Sequence, residues 1–355
     1  MSKIRENIGL PERYIIFIPK GGLNDSLCQL ERCWAYAEKF GRQLVVDTRV
    51  STVTGSALAM LEPRSKSALL VRTGANAQET AAIWVRPGAS ATGAIEGSPI
   101  NDLGSYDFLN LTNTRVALNV DLSIDHPEPV LIHEQAGGGY SAWNCLRRVA
   151  VRPEDQKRIS NLLPDLPNKF DGVHIRGTDY SPLTSELIST LNTPRAKLPL
   201  LVCSDSNEIL TKAEEMFSER TIITFAPHPV DADAPLHAHG SFATASERNA
   251  AAARLLAELA ALSRARRFYF GTVVSPYVDF KQHVSGLSTL LVYLVAHRRL
   301  SKALFGGEWD SRGRNTFFRA RLVAKNYTNF RFWWGLRKNA ALQIAGRVIR
   351  SFRNH

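Results

Sequence analysis

Four polar clusters, each closing an apolar run, hold the side chains of this sequence that are suited to chemistry. His174-Ile-Arg176-Gly-Thr-Asp179 closes the run 172–175, Ser204-Asp205-Ser206 closes 200–203, Pro227-His228 follows 222–225, and Thr272 with Ser275 follows 268–270. Apolar runs of this length, alternating with helical patterns, read as strands of a parallel sheet, which puts every cluster at a carboxyl end. In an open parallel sheet those ends line one crevice, so four separate stretches are expected to converge on one ligand. Arg176 presents a permanently charged planar fork that matches phosphate oxygens, and Gly177 beside it leaves room for a diphosphate to approach the backbone. The plainer reading pairs Arg176 with Asp179 at a strand end. His174 alternates with Val173 and Ile175 and so either faces the crevice or is a satisfied core histidine. Asp205 is suited to accept hydrogen bonds from a ribose or a base, or belongs with its flanking serines to a helix cap. Thr272 and Ser275 either donate to phosphate or cap a turn before Pro276.

A further candidate lies near the start of the chain. The run 14–18 ends in Pro19-Lys20-Gly21-Gly22, after which Leu27, Leu30, Trp34 and Ala37 fall at helical spacing until Gly41, and 43–47 reads as a second strand. The turn at Gly22 and Asn24 opens a helix whose free N–H groups and positive dipole end suit a phosphate or a sugar hydroxyl. It matches neither a GxGxxG fingerprint nor a P-loop, and a simple tight turn with Asn24 or Asp25 as cap is the alternative. His228, His237 and His239, near Asp231 and Asp233, match no standard ligand spacing, so no metal site is expected. Glu134 is a candidate base before Gly137-Gly138-Gly139-Tyr140, which is either a flexible acceptor loop or an ordinary turn.

The elements that must position these residues form two α/β series. In the second, strands 172–175, 200–203, 222–225 and 268–270 alternate with helices 185–191, 208–216, 247–264 and 282–297. Thr244-Ala-Ser-Glu247 carries a capping-box signature before an Ala- and Leu-rich helix. The first series is less regular, with short strands expected at 70–71, 82–85, 116–118 and 129–132, and the polar stretch 152–169 reads as the boundary. The expectation is an N-terminal Rossmann-like domain over 1–160, a second α/β domain over 161–300, and a basic aromatic helical extension over 301–355.

Composition limits the class. The chain has 355 residues, 44% apolar and 22% charged, which excludes disordered and fibrous architectures. Cys28, Cys33, Cys145 and Cys203 form no CxxC pair, which suits reduced thiols in a cytoplasmic protein. No run of about 18 apolar residues appears, so a soluble, non-secreted protein is expected. The net charge of +11 is concentrated at one end: from His297 onward there are 14 basic residues against Glu308 and Asp310, while residues 1–296 hold 30 basic and 31 acidic ones. Interleaved with Phe317, Phe318, Phe330, Phe332, Trp333 and Trp334, this segment suits an anionic membrane surface, a nucleic acid or an acidic substrate, or else is a solvated helix with aromatic anchors.

In order, KGGLND before a helix and a VVD strand, then GVHIRGTDY, VCSDSNEI and LAALSRARRFYFGTVVSPY, resemble the peptide motifs of the superfamily of nodulation-factor, core α1,6- and protein O-fucosyltransferases. The resemblance covers about residues 14–48 and 170–280. It implies a GT-B fold, two facing Rossmann-like domains, with GDP-fucose as donor, inverting transfer to a saccharide, lipid-linked or peptide acceptor, and no cofactor or metal. Position by position it implies Arg176 on the donor diphosphate as the catalytic residue, His174 as the motif histidine, Asp205 near the nucleoside, Thr272 and Ser275 on the phosphate side, and Gly22 with Asn24 facing the donor sugar. The sequence departs from the pattern at Gly177, where the core α1,6 enzymes have a second arginine, and at Glu258, one methylene longer than the family's acid. A GT-B transferase with another nucleotide sugar therefore stays open, as does a non-enzymatic protein that binds anionic surfaces. No nucleic-acid partner is expected, and the tail suggests a peripheral position on the inner face of the membrane.

Overall fold

The computed structural model describes residues 13–46, 52–64, 72–73, 121–126, 130–177, 181–182, 184–192, 198–227, 244–271, 273–274, 282–306 and 320–322. The first half runs β1 (Tyr14–Phe17), α1 (Leu23–Phe40), β2 (Gln43–Val46), α2 (Val53–Ala59), β3 (Leu61–Pro63), β4 (Arg72–Thr73), β5 (Val130–His133), α3 (Ala142–Arg148), β6 (Val149–Val151) and α4 (Pro153–Leu162). The second runs β7 (Asp171–Ile175), β8 (Ser181–Pro182), α5 (Thr184–Leu191), β9 (Leu200–Ser204), α6 (Asn207–Thr211), α7 (Ala213–Met216), β10 (Ile222–Thr224), α8 (Ala245–Arg264) and β11 (Arg267–Phe270). It continues through β12 (Val273–Val274), β13 (Gln282–His283), α9 (Gly286–Ala296), α10 (Arg298–Phe305) and β14 (Ala320–Leu322).

The two parallel sheets expected from the alternation are present. The first has the order β4-β2-β1-β5 and the second β10-β9-β7-β11-β14, every neighbouring pair parallel. In each, the chain winds outward from its first strand, then returns to that strand's other side. The order reverses between β1 and β5 and again between β7 and β11, the points where carboxyl-end loops part and open a crevice. β2 and β9 are buried along their whole length, as suits parallel strands covered by helices on both faces.

Helix α1 buries Leu23, Leu27, Leu30, Trp34 and Ala37, one helical stripe, and stops at Gly41, whose φ of 65° lies in the left-handed region. Helix α8 carries the expected capping box: the Thr244 hydroxyl accepts from the Glu247 N–H and the Glu247 carboxylate accepts from the Thr244 N–H. The helix then crosses β7 so closely that a Cβ on Gly172 would lie 2.7 Å from Leu262 Cδ2 and 3.2 Å from Ala265 Cβ. Gly172→Val is expected to destabilise the protein by about 1–3 kcal/mol through overpacking, read as a lowered Tm; an unchanged Tm would show that α8 can retreat from the sheet at no cost.

One continuous core joins the halves. Ile15, Phe17 and Leu131 of the first sheet and Cys203, Phe268 and Phe270 of the second belong to a single buried cluster, with α8 and α9 between them. Helix α10 packs against α3 and β6 of the first half and against α8 and α9 of the second, so this late segment bridges the two. Leu300, Leu304 and Phe305 are its buried side.

Several expectations are corrected. Residues 320–322, inside the stretch expected to be helical, form β14 and pair with β11, because Ala320 and Leu322 extend a sheet edge; residues 307–319 and 323–355 lie outside the described residues. The single helix expected over 208–216 is two, α6 and α7, separated at Lys212. The helix expected from 282 starts at Gly286, its first residues being β13. The boundary stretch 152–169 folds largely as α4, started by Pro153 at the first helical turn. Of the first-half strands expected, 129–132 is β5, while 70–71 lies just before β4 and, like 82–85 and 116–118, outside the described residues.

Candidate functional site

The glycine turn after β1 is shaped by its backbone. Gly21 has φ of 80°, a region that L side chains rarely adopt, and Gly22 is the N-cap of α1 without any side-chain cap. Asn24 and Asp25 are therefore not the cap. The Thr54 hydroxyl donates to Gly21 O at 3.0 Å, which ties α2 to the turn. Asn24 is 4% exposed; its Nδ2 donates to Gly139 O at 3.4 Å, and its Oδ1 is buried without a hydrogen-bond partner.

The loop after β5 closes over this turn. Gln29 Nε2 donates to Gly137 O at 2.8 Å, and its Oε1 lies 3.1 Å from His133 Nε2. Since the carbonyl oxygen only accepts, the imidazole donates from Nε2. Burial pushes the His133 pKa down to about 4, with the Arg32 charge adding to the effect, so the ring is neutral near pH 7. A Cβ on Gly138 would lie 2.5 Å from Asp25 Oδ1, so a side chain there would require the carboxylate to shift. Glu134 pairs with Lys20 at 3.4 Å.

In the second sheet, His174 is the penultimate residue of β7 and is 4% exposed. Burial drives its pKa down to about 4; the nearby Asp205 carboxylate opposes the shift and the Arg176 charge adds to it. Its Nδ1 lies 3.1 Å from Ser288 Oγ, and the Ser285 hydroxyl donates to that oxygen at 3.0 Å. Ser285 also caps α9, accepting from the Ser288 N–H. Arg176 follows the strand, with Nε 4.0 Å from Asp205 Oδ2. Asp205 Oδ1 accepts from the Gly177 N–H at 2.7 Å, and Ser206, not Asp205, caps α6. Arg176 thus pairs with the acid of the neighbouring strand; Asp179, its alternative partner, lies outside the described residues.

Gly177 has a reason that spacing could not supply. A Cβ there would collide with Ile209 Cδ1 and lie 3.0 Å from Ser206 Cβ, so the start of α6 occupies the space that a larger residue would take. Glu258, from α8, is 4% exposed and ion-paired with Arg254 at 2.8 Å. Arg254 in turn donates to Ala226 O and lies 4.2 Å from the Phe225 ring centroid.

These groups meet at a cavity of about 570 Å³. One wall is Gly21, Gly22, Asn24, Asp25 and Thr54 with the loop of Gly138 and Gly139; the other is His174, Arg176, Asp205, Glu258 and the start of α9 at Ser285 and Gly286. The cavity therefore joins both reversal points, β1/β5 and β7/β11. Gly22, Asn24, His174, Arg176 and Asp205 are brought together as expected, whereas Thr272 and Ser275, like His228, His237 and His239, lie outside the described residues. The sequence reading missed Ser285 and Gly286. Their signal was a Ser-Gly-Leu-Ser cap before an apolar helix, hidden because the helix was expected to start earlier, from residue 282. Two positive helix ends, those of α1 and α9, together with one guanidinium give a cavity suited to an anionic ligand. Among the described residues no three His, Cys, Asp or Glu side chains are grouped to hold a metal ion, and no helix is long and apolar enough to cross a membrane.

Among solved structures, the chain is similar to the fucosyltransferase NodZ from Bradyrhizobium, with 16% identity and a TM-score of 0.48, covering 80% of this chain and 94% of that one. It is also similar to POFUT1 in complex with GDP-fucose, with 12% identity and a TM-score of 0.48 over 88% and 99% of the two chains. A third is FUT1 of Arabidopsis thaliana in complex with GDP, with 11% identity and a TM-score of 0.40 over 83% and 73%. No protein-family model matches the sequence, and no curated protein matches it.

Proposed function

We propose that this chain is a fucosyltransferase that moves L-fucose from GDP-fucose to a hydroxyl of a saccharide, lipid-linked or peptide acceptor, with inversion and without a metal ion. The observation that carries the reading is that five residues picked from ordered motifs, Gly22, Asn24, His174, Arg176 and Asp205, line one cavity that joins the reversal points of both sheets. Its volume lies within the roughly 300–1,000 Å³ of small-molecule sites.

Cleaving the bond between fucose C1 and the β-phosphate oxygen leaves positive charge on the ring and negative charge on GDP. Arg176 and the N–H groups at the start of α9 stabilise the departing diphosphate, the role a divalent cation plays elsewhere. Asp205 holds the Arg176 side chain and the Gly177 N–H at the nucleoside end, and Asn24 offers its unpaired Oδ1 to the sugar. Thr272 and Ser275 complete the phosphate side in this reading.

Isothermal titration is expected to show GDP binding with UDP at least tenfold weaker, and turnover is expected to be unchanged in EDTA. UDP preference would favour the second reading, a transferase for another nucleotide sugar. Gly177 supports that alternative, because Ile209 and Ser206 fill the place of the second arginine found in core α1,6 enzymes.

The tail extends the proposal. Charge concentrated after His297, with Phe332, Trp333 and Trp334 beside Arg331, Arg337 and Lys338, suits a peripheral position on an anionic membrane, at the cytoplasmic face, where a lipid-linked acceptor is presented. Because β14 belongs to the second sheet, the test is removal of residues 330–355, which spares it. Sedimentation with phosphatidylglycerol vesicles is expected to be lost on truncation and weakened by salt; undiminished association would remove the membrane role.

A further inference from the structure

We propose that Ser288 is a positioning residue for the donor nucleotide: it holds His174 in the tautomer protonated on Nε2, so that the imidazole offers the cavity a hydrogen-bond donor. The inference rests on the transferase reading and deepens it by assigning the residue that sets the polarity of one nucleotide contact.

Three side chains make the device. His174 lines the cavity from the end of β7 and Ser285 from the start of α9. Between them stands Ser288, 2% exposed, with Oγ 3.1 Å from His174 Nδ1 and 3.0 Å from Ser285 Oγ. The Ser285 hydroxyl donates to Ser288, so the Ser288 proton is directed at His174 Nδ1, which accepts it. A neutral imidazole carries one proton, and with Nδ1 accepting, that proton sits on Nε2. The ring is neutral because burial, aided by the Arg176 charge, outweighs the Asp205 carboxylate.

The opposite tautomer would turn the chain around. Nδ1–H would donate to Ser288, and Ser285 Oγ, which already accepts from the Ser288 N–H at 3.3 Å, would have to accept from the Ser288 hydroxyl as well. An Nε2 lone pair would then meet a nucleotide whose phosphate and ribose oxygens are themselves acceptors. The serines are well seated for the first arrangement. The Thr289 hydroxyl donates to Ser285 O at 3.1 Å, and a Cβ on Gly286 would lie 3.0 Å from Asn24 Cβ, so the start of α9 packs directly on α1. Ser288 and His174 are 114 positions apart in sequence, and only this packing brings them together.

The test reads the tautomer and its effect on binding. In protein labelled with ¹⁵N at histidine, long-range ¹H–¹⁵N correlation at pH 7 is expected to show His174 protonated on Nε2, its signals identified by their loss in His174→Gln. Ser288→Ala is expected to remove that signature, to weaken GDP binding by about 3- to 10-fold, the worth of one hydrogen bond, and to raise KM for GDP-fucose with kcat near wild type. Ser288→Thr, which keeps the hydroxyl, is expected to restore both. In a His174→Gln background, Ser288→Ala is expected to cost no further GDP affinity, because it acts through the ring. A proton on Nδ1 in the wild type, an unchanged GDP Kd in Ser288→Ala, or losses that add in the double variant would each overturn the proposal. A wild-type chain that binds no GDP would overturn the transferase reading itself, an outcome distinct from any difference between the variants.

Discussion

Arg176→Ala is expected to lower turnover of GDP-fucose by about 10²- to 10³-fold, the loss typical of removing one preorganised donor to developing negative charge. The protein is expected to stay folded. The side chain lies at the cavity surface, its ion pair with Asp205 is loose at 4.0 Å, and Asp205 keeps the Gly177 N–H as a partner when the guanidinium is gone. Arg176→Lys restores charge without the planar fork and is expected to recover only part of the rate. Steady-state kinetics with GDP-fucose, alongside the Tm of each variant, measures both effects. Near-wild-type turnover by the alanine variant would remove the guanidinium from the mechanism.

A second large effect concerns acid. His133 and His174 are buried and neutral, each with its pKa pushed down to about 4, whereas an unfolded histidine titrates near 6.5. Below pH 6.5 the unfolded chain takes up protons that the folded chain refuses, so stability falls as pH drops from 6.5 towards 4. At about 1.4 kcal/mol per pKa unit, the cost is on the order of 3 kcal/mol for each ring by pH 4. Glu31 works the other way: burial raises its pKa to about 7 against the pull of Arg148, so the folded chain holds a proton there that the unfolded chain releases above pH 4.5. Two histidines outweigh one carboxyl. Denaturant titrations at pH 7, 5.5 and 4.5 are expected to show a declining midpoint, and a shallower decline in His133→Gln, whose amide still hydrogen-bonds but does not titrate in this range. An equal decline in that variant would assign the acid sensitivity elsewhere.

Much of the second sheet was legible because its strands are short apolar runs bounded by chemistry: β7, β9, β10 and β11 fall within a residue of expectation. The capping box at Thr244 needed no tertiary information, since both partners lie within four residues. Pairings that depend on distant chain were not legible. β3 and β6 are three residues each and meet antiparallel across about 90 residues of sequence. β14 sits among basic residues whose composition resembles a tail, and only its register with β11 makes it a strand. In the site, Arg176 and Asp205 were legible by type and position, but the cause of Gly177 was not, because Ile209 reaches it from the following helix. Ser285 and Gly286 were absorbed into an apolar helical pattern.

The position of α10 limits how this protein can be taken apart. The chain leaves the second sheet, packs α10 against α3 and β6 of the first half as well as α8 and α9 of the second, and then returns to add β14 beside β11. A chimera that swapped second halves by a single crossover near residue 165 would therefore bring a foreign α10 against α3 and β6. Three junctions, which keep the helix with α3 and β6 while the strand after it travels with the other half, would instead set it against a foreign α8 and α9, so α10 is a seam in either design.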